Sequence, residues 1–275
     1  MSVIDIHPHV IAQDTRRYPF APLGGKQSDW SRQRPVDAEK LLAAMDEAGI
    51  ERSVLVQAST CYGHDNSYVA DAVAAHPDRF AGVFSVDMVA SDAPQRIRHW
   101  LGRGLKGLRV FIAGHTTAHD ARLDDPRSFP AWRCAVDAGL PVCVQLRAPG
   151  LPQIETLLAE FPSARIVLDH MARPVPDDAA SLFSIARYSN VFLKFTSHNV
   201  RDAAKAQTTP QAFMRRIVDA FSARRIAWGS NYPASDGSLG GLLADARQAV
   251  SALPAGEQEW IFSRTANSLY PLARH

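Results

Sequence analysis

The sequence predicts an α/β fold, a single (β/α)8 barrel, on three observations. Short apolar, β-branched runs recur eight times. Each is followed by a stretch in which apolar residues return at helical spacing. Most of the runs are continuously apolar and do not alternate, as expected of parallel strands covered by helices. The competing arrangement is a doubly wound open sheet, which has fewer units and a glycine-rich first turn. No G-x-G-x-x-G occurs here, and the pair Gly24-Gly25 does not directly follow a strand. One TIM-like barrel domain over residues 1–275 is therefore expected.

The elements are expected in this order. Strands fall at 3–7, 52–57, 80–86, 106–111, 141–146, 165–170, 191–196 and 225–230. Helical patterns fall at about 37–48, 65–76, 92–102, 129–138, 151–161, 179–188, 210–223 and 240–252. Breakers such as Gly49, Pro77, Gly139 and Pro162 stand just before the next strand. Asp37 reads as an N-cap and Pro210 suits a first helical turn. A last helix at about 256–269 is expected to cover the barrel exterior or its bottom. The longest irregular stretch is about 10–36; it carries Tyr18, Pro19, Phe20 and Trp30 and reads as a lid or pocket wall.

Composition narrows the function. Hydrophobic residues make up 46% of the chain, enough for a large core, and the net charge of +2 is nearly balanced. Without a basic stripe interleaved with aromatics, nucleic-acid binding is not expected. Cys61, Cys134 and Cys143 form neither a disulfide framework nor a zinc knuckle, which suits a reducing cytoplasm. No secretory leader and no apolar run of membrane-spanning length is read. A homo-oligomer is allowed for, with nothing in the patterning to fix its order.

In such a barrel, function sits at the C-terminal ends of the strands. His7 and His9 follow the first strand, and in an extended backbone an H-x-H pair points to one side. Gln57 and Ser59 follow the second strand and Asp87 the third. Arg109 lies on the fourth, Gln145 and Arg147 end the fifth, and Asp169 and His170 end the sixth. Lys194, Ser197 and His198 belong to the seventh, and Ser230 and Asn231 to the eighth. Arg109 suits either a substrate carboxylate or an internal ion pair with Asp87 or Asp169. Lys194 reads as a core-paired charge, with a substrate clamp or Schiff-base lysine as the alternative. Asp169 and His170 are adjacent, so in a strand only one of them faces the barrel axis.

Asp5-Ile6-His7-Pro8-His9 and Trp228-Gly229-Ser230-Asn231-Tyr232-Pro233 resemble the amidohydrolase superfamily. More specific runs resemble its amidohydrolase-2 group, which includes 2-pyrone-4,6-dicarboxylate lactonase. They are Tyr18-Pro19-Phe20-Ala21-Pro22, Val56-Gln57-Ala58-Ser59 with Asp65-Asn66, Gly107-Leu108-Arg109, and Leu168-Asp169-His170-Met171-Ala172-Arg173-Pro174. The match runs in order to Asn267-Ser268-Leu269-Tyr270. It implies a hydrolase that uses water on a cyclic ester or related carbonyl compound. By that resemblance His7, His9 and His170 polarise the carbonyl without a metal, and a strand-8 aspartate is the general base. Ser59, Arg109 and Arg173 match carboxylate-binding positions, with Tyr18 or Tyr62 beside them; Gln145 joins them as a substrate-binding candidate. Other members of the superfamily bind zinc through equivalent histidines, so a metal here would fall to His7, His9 and His170.

The chain departs from the family at the eighth strand, where Asn231 stands for the usual aspartate. A carboxamide cannot take a proton from water near neutral pH. It can orient water, donate to an oxyanion or offer a weak oxygen ligand. Three imidazoles can hold zinc, but the attraction of an anionic ligand is gone, so no cofactor is favoured and zinc is the alternative. The base then becomes His170, His9 or Asp236. The leading expectation is a lactonase acting on a small anionic substrate, with Asn231 positioning the water. A zinc-dependent hydrolase or decarboxylase is the runner-up, and a non-catalytic ligand-binding barrel the third reading.

Overall fold

The computed structural model describes residues 2–111 and 122–271. Its strands are β1 (Ile4–Asp5), β2 (Arg52–Val56), β3 (Phe80–Ser85), β4 (Gly107–Phe111), β5 (Pro141–Gln145), β6 (Arg165–Leu168), β7 (Val191–Phe195) and β8 (Ile226–Trp228). All are parallel and paired in chain order from β1 to β8. The Ile6 N–H donates to the Trp228 carbonyl at 3.1 Å, and the His9 N–H to the Tyr232 carbonyl at 2.8 Å. These bonds join the first strand's exit to the last strand's and bring the barrel round. The (β/α)8 expectation holds.

Two apolar layers position the site. Inside the barrel, Ile4, Ile6, Val54, Val56, Ala81, Val83, Cys143, Val167 and Ala227 pack with Leu269 and Tyr270. The C-terminal segment thus closes the bottom of the barrel. The Tyr270 hydroxyl lies 3.1 Å from Cys143 Sγ, and a Cβ on Gly107 would meet the Tyr270 ring at 2.8 Å. Outside, helices lay one apolar face on the sheet. In Pro210–Phe221 that face is Phe213, Met214, Ile217, Val218 and Phe221, each worth roughly 1.5–3 kcal/mol on burial. Thr209 caps its first turn through the Ala212 N–H. Asp37 caps Ala38–Ala48 through Lys40, and Gly49 ends it at φ 69°.

Several expected elements are corrected. β1 and β8 are shorter than the apolar runs that signalled them, so His7 and Ser230 lie beyond the ladder. The stretch 10–36 carries a 3₁₀ turn at Leu23–Gly25 and a short helix at Asp29–Gln33. A helix at Ser197–Ala204 went unread because its sequence is largely polar; Thr196 and Asn199 cap it reciprocally. The last helix is interrupted by a π turn at Trp260–Arg264. No helix among the described residues is long and apolar enough to cross a membrane.

Candidate active site

β1 delivers both histidines of the H-x-H pair to the barrel mouth. Asp5, at the strand's end, accepts the backbone N–H of His7 at 3.0 Å and of Ser230 at 2.8 Å. One carboxylate therefore sets the exits of β1 and β8 together. Burial raises its pKa to about 6 against those hydrogen bonds. Gly229 is required beside it: a Cβ there would meet His7 Cβ at 2.6 Å. The His9 ring stacks on Trp30 at 5.3 Å and turns Nδ1 to the Val56 carbonyl at 2.8 Å. A carbonyl only accepts, so His9 carries its proton on Nδ1 and leaves Nε2 with a free lone pair. The Trp30 wall comes from the stretch expected to line the pocket.

β6 stops at Leu168, one residue short of the Asp-His pair. His170, Met171, Ala172 and Arg173 then follow at φ 55°, 55°, 57° and 45°. This left-handed turn breaks the strand alternation, so Asp169 and His170 both face the site, contrary to the expectation that one would turn away. Left-handed backbone costs a residue with a Cβ roughly 1–2 kcal/mol. The turn is held from β7's exit: Asn199 Nδ2 donates to the His170 carbonyl at 2.8 Å. His170 Nδ1 lies 2.9 Å from Thr196 Oγ1, whose hydroxyl reaches Asn199 Oδ1 at 3.3 Å. In that chain Thr196 donates to Asn199 and accepts from His170, which frees His170 Nε2. The His170 ring lies 4.9 Å from both His7 and His198.

Beneath the imidazoles lies a buried charge cluster. Arg109 Nε donates to Asp169 Oδ2 at 2.9 Å, and Lys194 Nζ stands 2.9 Å from Oδ1. Arg109 therefore takes the internal ion pair with Asp169, while Asp87 is exposed. Lys194 is wholly buried and paired, as expected of a core charge. Burial opposes ionisation of Asp169, but the Lys194 ammonium and the Arg109 guanidinium outweigh it and hold the carboxyl well below its usual range. Two cations face Asp169 in this cluster, and Lys194 also lies in the field of the Asp5 carboxylate. Burial, reinforced by these cations, takes His7 and His170 well below the ordinary imidazole range. His9 falls to about 3 and His198 to about 4, again chiefly by burial. All four are neutral at pH 7.

Asn231 closes the group from β8 at φ 58°. Its Nδ2 lies 3.0 Å from Ser235 Oγ and 3.3 Å from His198 Nε2, so Oδ1 is the free end of the amide. The other expected residues lie further out. Ser59 Oγ reaches Ser85 Oγ at 3.4 Å. Gln145 keeps a buried Oε1 without a partner among the described residues. Arg173 is held bidentately by Asp202 at 2.9 and 2.8 Å. With Arg147 and Lys205 it lines an open groove of about 420 Å³. The Tyr18 hydroxyl binds Asp71 at 2.6 Å, and its ring packs on Tyr68. Asp236 pairs with Arg34 at the surface, which removes it as a base. The roles of Asp5 and Asn199 went unread from the sequence. A T-x-x-N pattern before a helix was the available signal for Thr196 and Asn199; Asp5 gave none beyond its place in the H-x-H run.

The comparisons with known proteins bear on the family and the fold. A family model described as amidohydrolase matches residues 4–272. L-fucono-1,5-lactonase of Burkholderia ambifaria is 28% identical over 243 residues, covering 84% of this chain and 80% of that one. A putative 2-pyrone-4,6-dicarboxylic acid hydrolase from Pseudomonas putida superposes with a TM-score of 0.79 at 20% identity, covering 100% and 99% of the two chains. A 5-carboxyvanillate decarboxylase from Novosphingobium aromaticivorans, complexed with manganese, superposes at 0.75 with 16% identity, covering 98% and 96%. A metal thus occurs on this fold. In this chain, no three His, Cys, Asp or Glu side chains among the described residues are arranged to hold one. The donor set agrees, since His7 turns Nδ1 to an ammonium at 3.2 Å and the β8 position is a carboxamide. As placed, the imidazoles meet no anionic ligand at the β8 position.

Proposed function

The chain belongs to the amidohydrolase family, and on that footing we propose that it is a metal-independent hydrolase that opens a small, carboxylate-bearing lactone. The observation that carries the reading is the set of three buried, neutral imidazoles above the Arg109–Asp169–Lys194 cluster, with Asn231 reaching the group through His198. The cations favour a carbonyl oxygen as it gains negative charge, and a free imidazole Nε2 can take a proton from water. Likeness to a curated lactonase supports the reaction class.

Water is placed by Asn231 Oδ1, which accepts one of its hydrogens. His170 Nε2 takes the other as water adds to the lactone carbonyl. The imidazolium formed there lies in the field of the Asp169 carboxylate, and the Thr196–Asn199 chain holds the ring with Nε2 free. The tetrahedral oxyanion is met by His7, since His9 and His170 turn unprotonated Nε2 atoms to the site, over the Arg109 and Lys194 charges. Collapse breaks the ring C–O bond, and the proton held on His170 passes to the leaving alkoxide. Arg109 stays in its ion pair with Asp169, and Arg173, with Arg147 and Lys205 along the open groove, attracts the substrate carboxylate by charge.

The test is a panel of lactones, from sugar-acid lactones to pyrone dicarboxylates, followed by proton release. His170→Ala lowers kcat/KM on the best substrate by about 10²–10⁴-fold, the range for loss of an acid–base group. A panel with no hydrolysis, or activity that tracks one bound zinc and disappears on chelation, overturns the proposal.

A further inference from the structure

We propose that Lys194 is a positioning residue: its ammonium holds His7 as the Nε2–H tautomer, so that His7 meets the substrate as a hydrogen-bond donor. The inference rests on the hydrolase reading for what the donor is used for, but the tautomer itself is a property of the resting protein.

The geometry is specific. Lys194 sits on β7, where the period of two turns Phe192 and Lys194 toward the barrel interior and Leu193 outward. Its Nζ lies 3.2 Å from His7 Nδ1 in hydrogen-bond geometry. It stands 2.9 Å from Asp169 Oδ1 as well, an ion pair that occupies one of its three hydrogens and leaves others for His7. An ammonium carries three hydrogens and no lone pair. Nδ1 facing it must therefore be the unprotonated nitrogen, and a neutral ring then carries its proton on Nε2. A doubly protonated ring would set an N–H against the ammonium. His7 Nε2 is buried and has no partner among the described residues. An N–H left unpaired inside a protein is unfavourable unless a ligand satisfies it, and the lactone carbonyl oxygen is such a ligand.

The same nitrogen has a second neighbour that would reverse the outcome. Asp169 Oδ1 is 3.6 Å from His7 Nδ1. Without Lys194, an Nδ1–H donating to that carboxylate would be the stable form, and Nε2 would be left bare. Lys194 thus decides between a donor and an acceptor at the mouth of the barrel. It also sets His7 apart from His9, whose proton sits on Nδ1 and whose Nε2 is free. The two imidazoles of one H-x-H pair present opposite hydrogen-bonding faces.

The experiment is long-range ¹H–¹⁵N correlation on the full chain labelled at histidine, with the His7 signals assigned by their loss in His7→Gln. In the native protein His7 shows a pyrrole-like Nε2 and a pyridine-like Nδ1. In Lys194→Met, which keeps the length of the side chain and removes the charge, the assignment reverses. With it kcat falls by about 10²-fold, as for loss of one oxyanion donor, while KM changes little. A native His7 protonated on Nδ1 overturns the proposal, and so does an unchanged tautomer in Lys194→Met. If that variant does not fold, the native spectrum alone decides. A native Nε2–H in a protein that hydrolyses no lactone would sustain the Lys194 assignment while removing the lactonase reading.

Discussion

At Asn231 the difference between two side chains is one atom, and it divides the family's chemistry. An aspartate would supply a base and an anionic metal ligand; the amide supplies an oxygen to orient water and hydrogens for Ser235 and His198. Asn231→Asp is expected to lower turnover about tenfold, because a fixed negative charge replaces the donor and opposes the oxyanion that the site is charged to receive. Steady-state kinetics check this; a tenfold gain would mean that the native chain has lost its base. His7, His9, His170 and Asn231 were legible because they stand in short runs tied to strand ends. Arg109 was readable only as a choice between substrate and ion pair, because pairing depends on what faces it across the barrel. That partner, Asp169, lies 60 residues away. Asp5 was hidden for the same reason, since its second bond is to Ser230.

Among the elements, the left-handed turn at residues 170–173 is the one that sequence rules exclude. Strand periodicity over 165–170 predicts alternation, and none of the four residues is a glycine. The turn persists because His170, Met171 and Ala172 are buried and Asn199 and Asp202 hold its ends. Ser222 makes the contrast. It stands at φ 64° and ψ 143°, is exposed, ends the helix Pro210–Phe221, and its Oγ accepts only a long hydrogen bond from the Arg224 N–H at 3.4 Å. No packing opposes its relief, so Ser222→Gly is expected to raise the unfolding free energy by about 1 kcal/mol; a denaturant titration showing a loss would refute this. Gly229→Ala runs the other way. Its methyl would push into His7 Cβ, and activity should fall more than stability, as parallel kinetics and thermal melts would show.

For the whole molecule, the buried imidazoles set the response to acid. His9 falls from its ordinary value to about 3, and His7 and His170 also lie well below theirs. A group whose folded pKa is depressed contributes stability that is present above the unfolded value and lost as pH falls. Stability should therefore decline from about pH 6.5 downward, by about 1.4 kcal/mol per pH unit for each such histidine. Asp5, raised to about 6, acts in the opposite sense, its contribution being full below about 4 and lost as pH rises through 6. Thermal melts from pH 8 to 4 check the sum, and His9→Gln should flatten the acid side. The barrel itself was legible because eight apolar runs repeat one local rule, whereas the charge cluster arises only when distant strands meet. The bond from Ser230 to Asp5 spans 225 residues and ties the two ends of the barrel at the site. A ribosome-bound chain that lacks its last strand thus has no assembled centre, however well its earlier units have formed. Catalysis is then a clock for the final closure: in refolding, turnover should emerge after the helical signal has recovered, and two fragments cut between strands should be inert until they are mixed.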